Sequence, residues 1–583
     1  MGIQVQSVLS RRIGRSSSIG RSSRIGRFRN RLIGIIAGLV VLMSFCACSP
    51  GAATGTSRST TAQTDLPEVT TAATDTDATD DSTGIGNGPS GPLRIWWTPR
   101  TSLNPLKEDS KAGLAVNDLI FQGLFRIRED QSIEPQLARN LTVWQSGLQV
   151  LVILDEGRFF HDGSPVTLED AAACISYIIN PANQSIYAAG LSAVKSVQVI
   201  DGAALELQLS RPDPWIAYAL TFPIIPAGSL DAEPGALIPG TGRYQMASFD
   251  ADNNLRLVAE SDAGLGEIVV RTYDDQLAAM QAMEKDELDL VYLDARDCSR
   301  YMQRSSLRLS LFPGNELYVT LCNTTDGNLL ADAASLAFVK QTIQASSLLG
   351  TDAARWGHLT GPGIPDGSWL SAGFQDDSTG GQLDAYATRL DRLVLPGANW
   401  AQLSEDDETA LQIVVAAEDE RRMNLAQILA GKLAERGIPS SVVPLTVDLF
   451  WPALQSGAFD LVVLTAVLPD SPDPAWPYRP VHFAPWSAID PLIAASTGLD
   501  DYDVWQEKLM RIVPDDYRQM NGTLEIDATF ADTLAETAVR SPWNILELLT
   551  EGLAYGDRVY GQCKPNRYHP YQNVEELWVW SGQ

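Results

Sequence analysis

Histidine is scarce in this chain of 583 residues: there are four, at positions 161, 358, 482 and 569, too scattered to form a ligand pair. None of the six cysteines belongs to a C-x-x-C pair. A structural zinc site needs such spacings and is not expected, and His161, inside a tight turn, reads as a turn hydrogen-bond partner. No G-x-S-x-G, no H-E-x-x-H and no Cys–His nucleophile pairing occurs, so neither an enzyme nor a cofactor is expected, and the many carboxylates read as solvated turn and cap residues. Beyond Phe45 there is no run of 18 apolar residues, which excludes a membrane-spanning helix from the body of the chain. Positive charge is also short: 43 Lys and Arg face 72 Asp and Glu, for a net charge of −29. That balance argues against nucleic acid and against adsorption to anionic headgroups. It leaves the ligand open, because the field in a cleft is set by a few residues.

What is present starts with a basic segment. The first 31 residues carry eight arginines and no acidic residue, and Leu32 to Phe45 is wholly uncharged and mostly apolar. A span needs roughly 20 apolar residues, so this run reads as the h-region of a secretory signal. It ends in Phe45-Cys46-Ala47-Cys48, which resembles a bacterial lipobox with Cys48 as the lipidated residue; an ordinary signal peptide or an uncleaved anchor is the alternative. Residues 48–92 are rich in Thr, Ala, Asp, Gly and Ser and nearly devoid of aromatic and branched apolar side chains. Such a segment buries too little surface to offset its ordering entropy and reads as a disordered tether. The remaining chain, with 45% apolar residues overall, suffices for a core in two or more domains. Cys174, Cys298, Cys322 and Cys563 remain after the export segment. Their irregular spacing, and the place of Cys174 on an apolar helix face, favour buried free thiols over disulfides.

The most informative stretch runs from Pro135 to Ile179. Leu148 to Leu154 is apolar and β-branched, as a strand is; Asp155-Glu156-Gly157 and His161-Asp162-Gly163-Ser164-Pro165 are turns. Thr167 stands at an N-cap with Asp170 three residues on, an acidic capping box ahead of the apolar helix Ala171 to Ile179. With Leu137-Ala138, Phe160 to Gly163, Pro165 and Glu169-Asp170 in this order, the stretch resembles the signature of the family 5 extracellular solute-binding proteins, the peptide and nickel receptors of ABC importers.

Other segments follow the same family. They include the strand Leu93 to Trp97, Leu103-Asn104-Pro105-Leu106, a helix from about Ala112 to Phe125, and Val197 to Leu209 as two strands across Asp201-Gly202. Pro239-Gly240-Thr241-Gly242-Arg243-Tyr244 carries Arg243 where the family has Pro, and its Gly-Thr-Gly lacks the Lys-Ser/Thr and the helix of a phosphate loop. Gln276 to Lys285 is an amphipathic helix leading through Asp286 to Leu290 into a strand. The family's next helix is degraded to Val339-Lys340-Gln341, with Leu336 at the usual Asp position. From pattern alone, Leu411 to Ala416, Ser440 to Leu445 and Phe459 to Val467 are strands, with helices at Arg421 to Arg436 and Val447 to Gln455. That alternation predicts parallel crossovers in an open α/β sheet, whose ligands lie beyond the carboxyl ends of the strands.

The resemblance implies an α/β, type II periplasmic-binding-protein-like fold: two lobes, a hinge and a discontinuous first lobe. The expected division is 1–47 signal, 48–92 tether, 93–315 and 541–583 first lobe with a subdomain at 126–195, and 316–540 second lobe. It further implies a monomeric oligopeptide receptor on the outer face of the cell membrane, anchored there by lipid and delivering ligand to permease subunits. A membrane-tethered sensor of the same fold, or a receptor for a nickel chelate, haem or oligosaccharide, is the alternative. The family's D-x-x-D-P corresponds to Asp470 through Pro474, so Asp470 is implied to hold the ligand's α-ammonium. The backbone of Ala466, Val467 and Leu468 would pair with the ligand and Tyr187 close over it, and Asp109 and Ser110 are counted with these ligand-binding residues. A plain turn, with Asp470 bonded to its own backbone, is the competing reading of the residues.

Overall fold

The computed structural model describes residues 91–343, 410–473 and 539–581, apart from isolated positions, and short pieces between 359 and 368. The export segment with Cys48, nearly all of the tether, His358, His482 and Pro474 lie outside the described residues.

Leu93–Trp97 forms the edge of a four-stranded sheet, parallel to Glu267–Thr272, which continues antiparallel through Leu255–Ala259 to Tyr244–Phe249. Leu93, Ile95 and Trp97 are fully buried. Each such apolar side chain contributes on the order of 1.5–3 kcal/mol. A second, antiparallel sheet takes Ala138–Trp144, Gln149–Leu154, Ala204–Leu209 and Val194–Ile200 in that order. The expected hairpin is present, with Asp201 at φ 50° and Gly202 at φ 63°, the left-handed pair that a two-residue turn between twisted strands requires. Helix Leu168–Ile179 packs on this sheet, and its capping box is complete: Thr167 Oγ1 accepts from the Asp170 N–H, and the Asp170 carboxylate accepts from the Thr167 N–H. The small sheet therefore runs to Leu209, beyond the 195 expected for the subdomain.

Two family-like motifs meet at His161. Its Nδ1 accepts from the Gly240 N–H at 3.1 Å, so Nε2 carries the proton and donates to the Gly242 carbonyl at 3.0 Å. The glycines are there for space. A Cβ on Gly240 would lie 2.0 Å from the Ile120 carbonyl oxygen, and one on Gly242 2.6 Å from the Ile120 carbonyl carbon. The Gly-Thr-Gly seats on the end of helix Lys111–Ile120, which stops five residues short of the expected Phe125. Gly240→Ala should lower stability by about 1–3 kcal/mol, the cost of forced overpacking against backbone; chemical denaturation checks this. Arg243, the departure from the family pattern, pairs with Glu575 at 3.0 Å and so ties this turn to the C-terminal segment.

The third sheet has six strands in the order Leu290–Leu293, Trp543–Tyr555, Arg308–Cys322, Leu461–Val467, Leu411–Ala416 and Ser440–Leu445. The last three are parallel, joined by helices Glu420–Glu435 and Val447–Gln455 as the alternation predicts. Gly437 at φ 75° and Gly457 at φ 67° end those helices. Arg308–Cys322 and Trp543–Tyr555, of 15 and 13 residues, each run through two cores. Their outer halves, up to Phe312 and from Leu553, join the core that includes Leu93–Trp97 and Val579. Their inner halves, from Leu317 and up to Leu549, join the cores on the two faces of the parallel strands. The crossings fall between 312 and 317 and between 549 and 553, against expected limits of 315 and 541.

All four remaining cysteines are buried and free. Burial pushes the thiols of Cys174, Cys298 and Cys563 up to about 12 and that of Cys322 to about 11. Because the thiolate is the nucleophile, native protein at pH 8 should resist alkylation by iodoacetamide and take up the label at these positions only after denaturation, as peptide mass mapping would show.

Candidate functional site

The parallel strands end at Ala416, Leu445 and Val467, and the chain leaves the last of them toward Asp470. Strand Leu461–Val467 is paired along one edge with Arg308–Cys322, from Leu461↔Cys322 to Val467↔Glu316. Its other edge pairs with Leu411–Ala416 only at Leu461 and Val462. From Val463 onward that edge meets no strand among the described residues. The Leu468 N–H donates to the Asn315 carbonyl at 2.6 Å. Val467 and Glu316 are therefore a non-hydrogen-bonded pair, and by alternation the N–H and C=O of Val467 and Thr465 face the open edge. Of the three backbone positions expected at the ligand, Val467 points that way, while Ala466 and the N–H of Leu468 turn to the neighbouring strand. The Val467 side chain, where the family has Trp, is 59% exposed.

Asp470 is held by its backbone, and no described residue uses its carboxylate. Its carbonyl accepts from the Tyr568 hydroxyl at 3.2 Å and from Gln131 Nε2 at 3.4 Å. Both donors belong to the first lobe, and Gln131 sits at φ 62° in the turn before strand Ile133–Pro135. Among the described residues no group donates to the Asp470 carboxylate, including the N–H groups of its own turn. Asp470 is exposed to water, yet surrounding protein pushes its carboxyl above the usual range, with Arg567 opposing. Because its backbone carbonyl is bonded to Gln131 and Tyr568, the side chain stands where the two lobes meet.

Tyr187 packs its ring 6.0 Å from that of Phe222. Burial raises its phenol, and the charges of Asp470, Glu108 and Asp118, in that order, raise it further. Two of these three carboxylates are matched by cationic or imidazole partners. Glu108 meets Arg100 Nη2 at 2.6 Å, both side chains being less than 10% exposed. The Arg100 guanidinium lies 3.6 Å from the Trp97 ring, and burial lowers it to about 10 against the pull of Glu108. Asp118 meets His569 Nδ1 at 3.0 Å, and His569 Nε2 lies 2.8 Å from the Ile127 carbonyl. Among the described residues, the Asp470 carboxylate is the one of the three without a hydrogen-bond or ion-pair partner.

The remaining expected residues divide. Ser110 caps helix Lys111–Ile120: its hydroxyl accepts from the Gly113 N–H at 3.1 Å and donates to Glu108 at 2.6 Å, which commits it to the fold. Asp109 is exposed beside it. Sequence reasoning missed Gln131, Arg567 and Tyr568, because none carries a local signal and their partner is roughly 100 to 340 residues away along the chain. A depression of about 440 Å³ lined by Leu309, Ser310, Leu311 and Cys563 includes none of these residues and is not the site. Among the described residues no three His, Cys, Asp or Glu side chains are arranged to hold a metal.

Two lobes joined by a pair of crossing strands, with a parallel sheet ending at the junction, define the fold of a type II solute-binding protein. The chain belongs to the bacterial extracellular solute-binding proteins of family 5; the model of that family's middle region matches residues 132–487. A relative from Brucella ovis, provisionally described as an ABC transporter peptide-binding protein, is 26% identical over 166 residues, 26% of this chain and 32% of that one. The match thus spans about a third of the relative's length. Among solved structures, the ABC transporter substrate-binding protein CtaP of Listeria monocytogenes superposes with a TM-score of 0.61 at 16% identity, covering 84% of this chain and 99% of that one. The murein tripeptide-binding protein MppA, in its unliganded open form, gives 0.63 at 16% identity over 84% and 97%. At these identities the likeness is one of fold. No described helix is long and apolar enough to cross a membrane.

Proposed function

We propose that this chain is the receptor of an ABC importer, a non-enzymatic monomer that captures oligopeptides between its lobes and hands them to the permease. Lipid at Cys48 and the tether would hold it to the outer face of the cell membrane. The observation that carries the ligand class is the Asp470 carboxylate, ionisable, wetted and without a side-chain partner among the described residues, beside the backbone edge at Thr465 and Val467 that meets no described strand. A receptor for peptides of varied sequence must hold what all peptides share, namely their amides and charged ends. A strand edge meets the first and a free carboxylate the ammonium. The descriptions of the Brucella relative and of MppA agree with a peptide class. The division of the chain into a first lobe of 93 to about 315 with about 550 to 583, and a second lobe between them, belongs to the same reading.

The test is to identify by mass spectrometry what co-purifies, then to titrate defined tri- to pentapeptides with free and with acetylated amino ends. Co-purified peptides, and at least about tenfold weaker binding after acetylation, are expected. A recovered sugar or metal complex, or equal affinity for both peptide forms, would overturn the assignment.

A further inference from the structure

The two strands that cross between the lobes lose their ladder at the crossing. Pro313 pairs with Thr550 and the next pair is Leu317 with Leu548, so Gly314, Asn315 and Glu316 stand opposite the single residue Leu549. Such a bulge bends the strand and removes the hydrogen bonds that would stiffen it. Something else has to fix its shape.

Lys111, the first residue of helix Lys111–Ile120 in the first lobe, reaches that bulge. Its Nζ lies 2.5 Å from Glu551 Oε1, 3.0 Å from Glu316 Oε1 and 3.1 Å from Asn315 Oδ1. Three ammonium donors meet three acceptors, two on one crossing strand and one on the other. Glu551 is 2% exposed, and its second oxygen accepts from the Tyr292 hydroxyl at 2.6 Å. Gly314 is there because a Cβ would fall 2.7 Å from the Glu551 side chain. Burial lowers the ammonium's pKa, but Glu551 and then Glu316 outweigh it and leave the charge favoured. Without that charge two carboxylates would face each other at an unladdered crossing.

The same bulge holds the ligand segment. Glu316 pairs with Val467, the Asn315 carbonyl takes the Leu468 N–H, and Asp470 follows two residues after Leu468. We propose that Lys111 is a positioning residue: it sets the angle between the lobes through Asn315, Glu316 and Glu551, and thereby places the Thr465–Asp470 segment for ligand. This deepens the peptide-receptor reading and rests on it for the ligand, whereas the angle itself can be measured without one.

Spin labels on Ser196→Cys in the first lobe and Glu435→Cys in the second, both exposed, would report the interlobe distance in ligand-free protein by double electron–electron resonance. Lys111→Met should broaden and shift that distribution and weaken peptide affinity about tenfold, the loss of one charge-assisted contact; Lys111→Arg should largely restore both. Where Lys111→Met fails to fold, Glu316→Gln tests the same link and should broaden the distribution to a smaller extent. A lower melting temperature with an unchanged distance distribution would reduce Lys111 to a structural ion pair and overturn the proposal. Failure of the wild type to bind any peptide would instead remove the ligand assignment, with the distance measurement still deciding the role of Lys111.

Discussion

Asp470→Asn should weaken peptide binding by about 1.5–3 kcal/mol, roughly ten- to hundredfold, while the protein stays folded. The substitution keeps the shape and the backbone bonds to Tyr568 and Gln131, because those use the carbonyl of residue 470 and not its side chain. Only the charge is lost, and among the described residues it supports no other contact. Acid should mimic the variant. Surrounding protein holds the Asp470 carboxyl above the ordinary aspartate range, so wild-type affinity should begin to fall as pH is lowered, at a pH higher than a normal aspartate would require. The Asn variant should show no such fall from this group. Isothermal titration of both proteins across that range decides the matter, and equal affinity for a free-amine peptide at neutral pH would leave Asp470 as a turn residue.

A second large effect is expected far from the cleft. Asp289→Ala should destabilise the first lobe by about 3–5 kcal/mol, the cost of breaking a buried ion pair by removing one partner. Asp289 is 1% exposed and takes three donors from one residue: the Arg94 N–H at 2.9 Å, Nε at 2.7 Å and Nη2 at 2.6 Å. Its own N–H returns to the Arg94 carbonyl at 2.8 Å, and Arg558 stands 3.7 Å away. This joins strands Leu93–Trp97 and Leu290–Leu293, which belong to different sheets. The hydrogen bond to Asp289 is the largest influence raising the Arg94 guanidinium, so its loss leaves a cation only 14% exposed with the Asp286 carbonyl, at 2.6 Å, as its remaining hydrogen-bond acceptor among the described residues. Urea unfolding monitored by tryptophan fluorescence measures the loss, and a change below about 1 kcal/mol would show that water or Asp286 replaces the carboxylate.

Local chemistry was legible from the chain. The capping box at Thr167 and Asp170, the left-handed Asp201-Gly202 hairpin and the helix stops at Gly437 and Gly457 each depend on residues within a few positions of one another. The parallel strands of 411–467 were legible for a related reason, since burial on both faces leaves continuous apolar runs. Strand Trp543–Tyr555 was not foreseen. Its run WNILELLTEGLAY mixes Glu, Thr and Gly with apolar residues because it passes through two cores and the crossing between them. Helix Lys111–Ile120 ended early because the Gly-Thr-Gly turn, more than 100 residues later, needs the room past Ile120.

The sequence by itself determined the family, the α/β class with its broken first lobe, and the nomination of Asp470 and Tyr187, because those rest on ordered local motifs. Only the tertiary structure decided which groups are free to act. Ser110 is spent on a helix cap, Glu108 and Asp118 are matched by Arg100 and His569, and Val467 faces the open edge in place of Ala466 and Leu468. Whether a carboxylate is available depends on what stands within about 4 Å of it, and here those neighbours come from segments up to 451 residues distant.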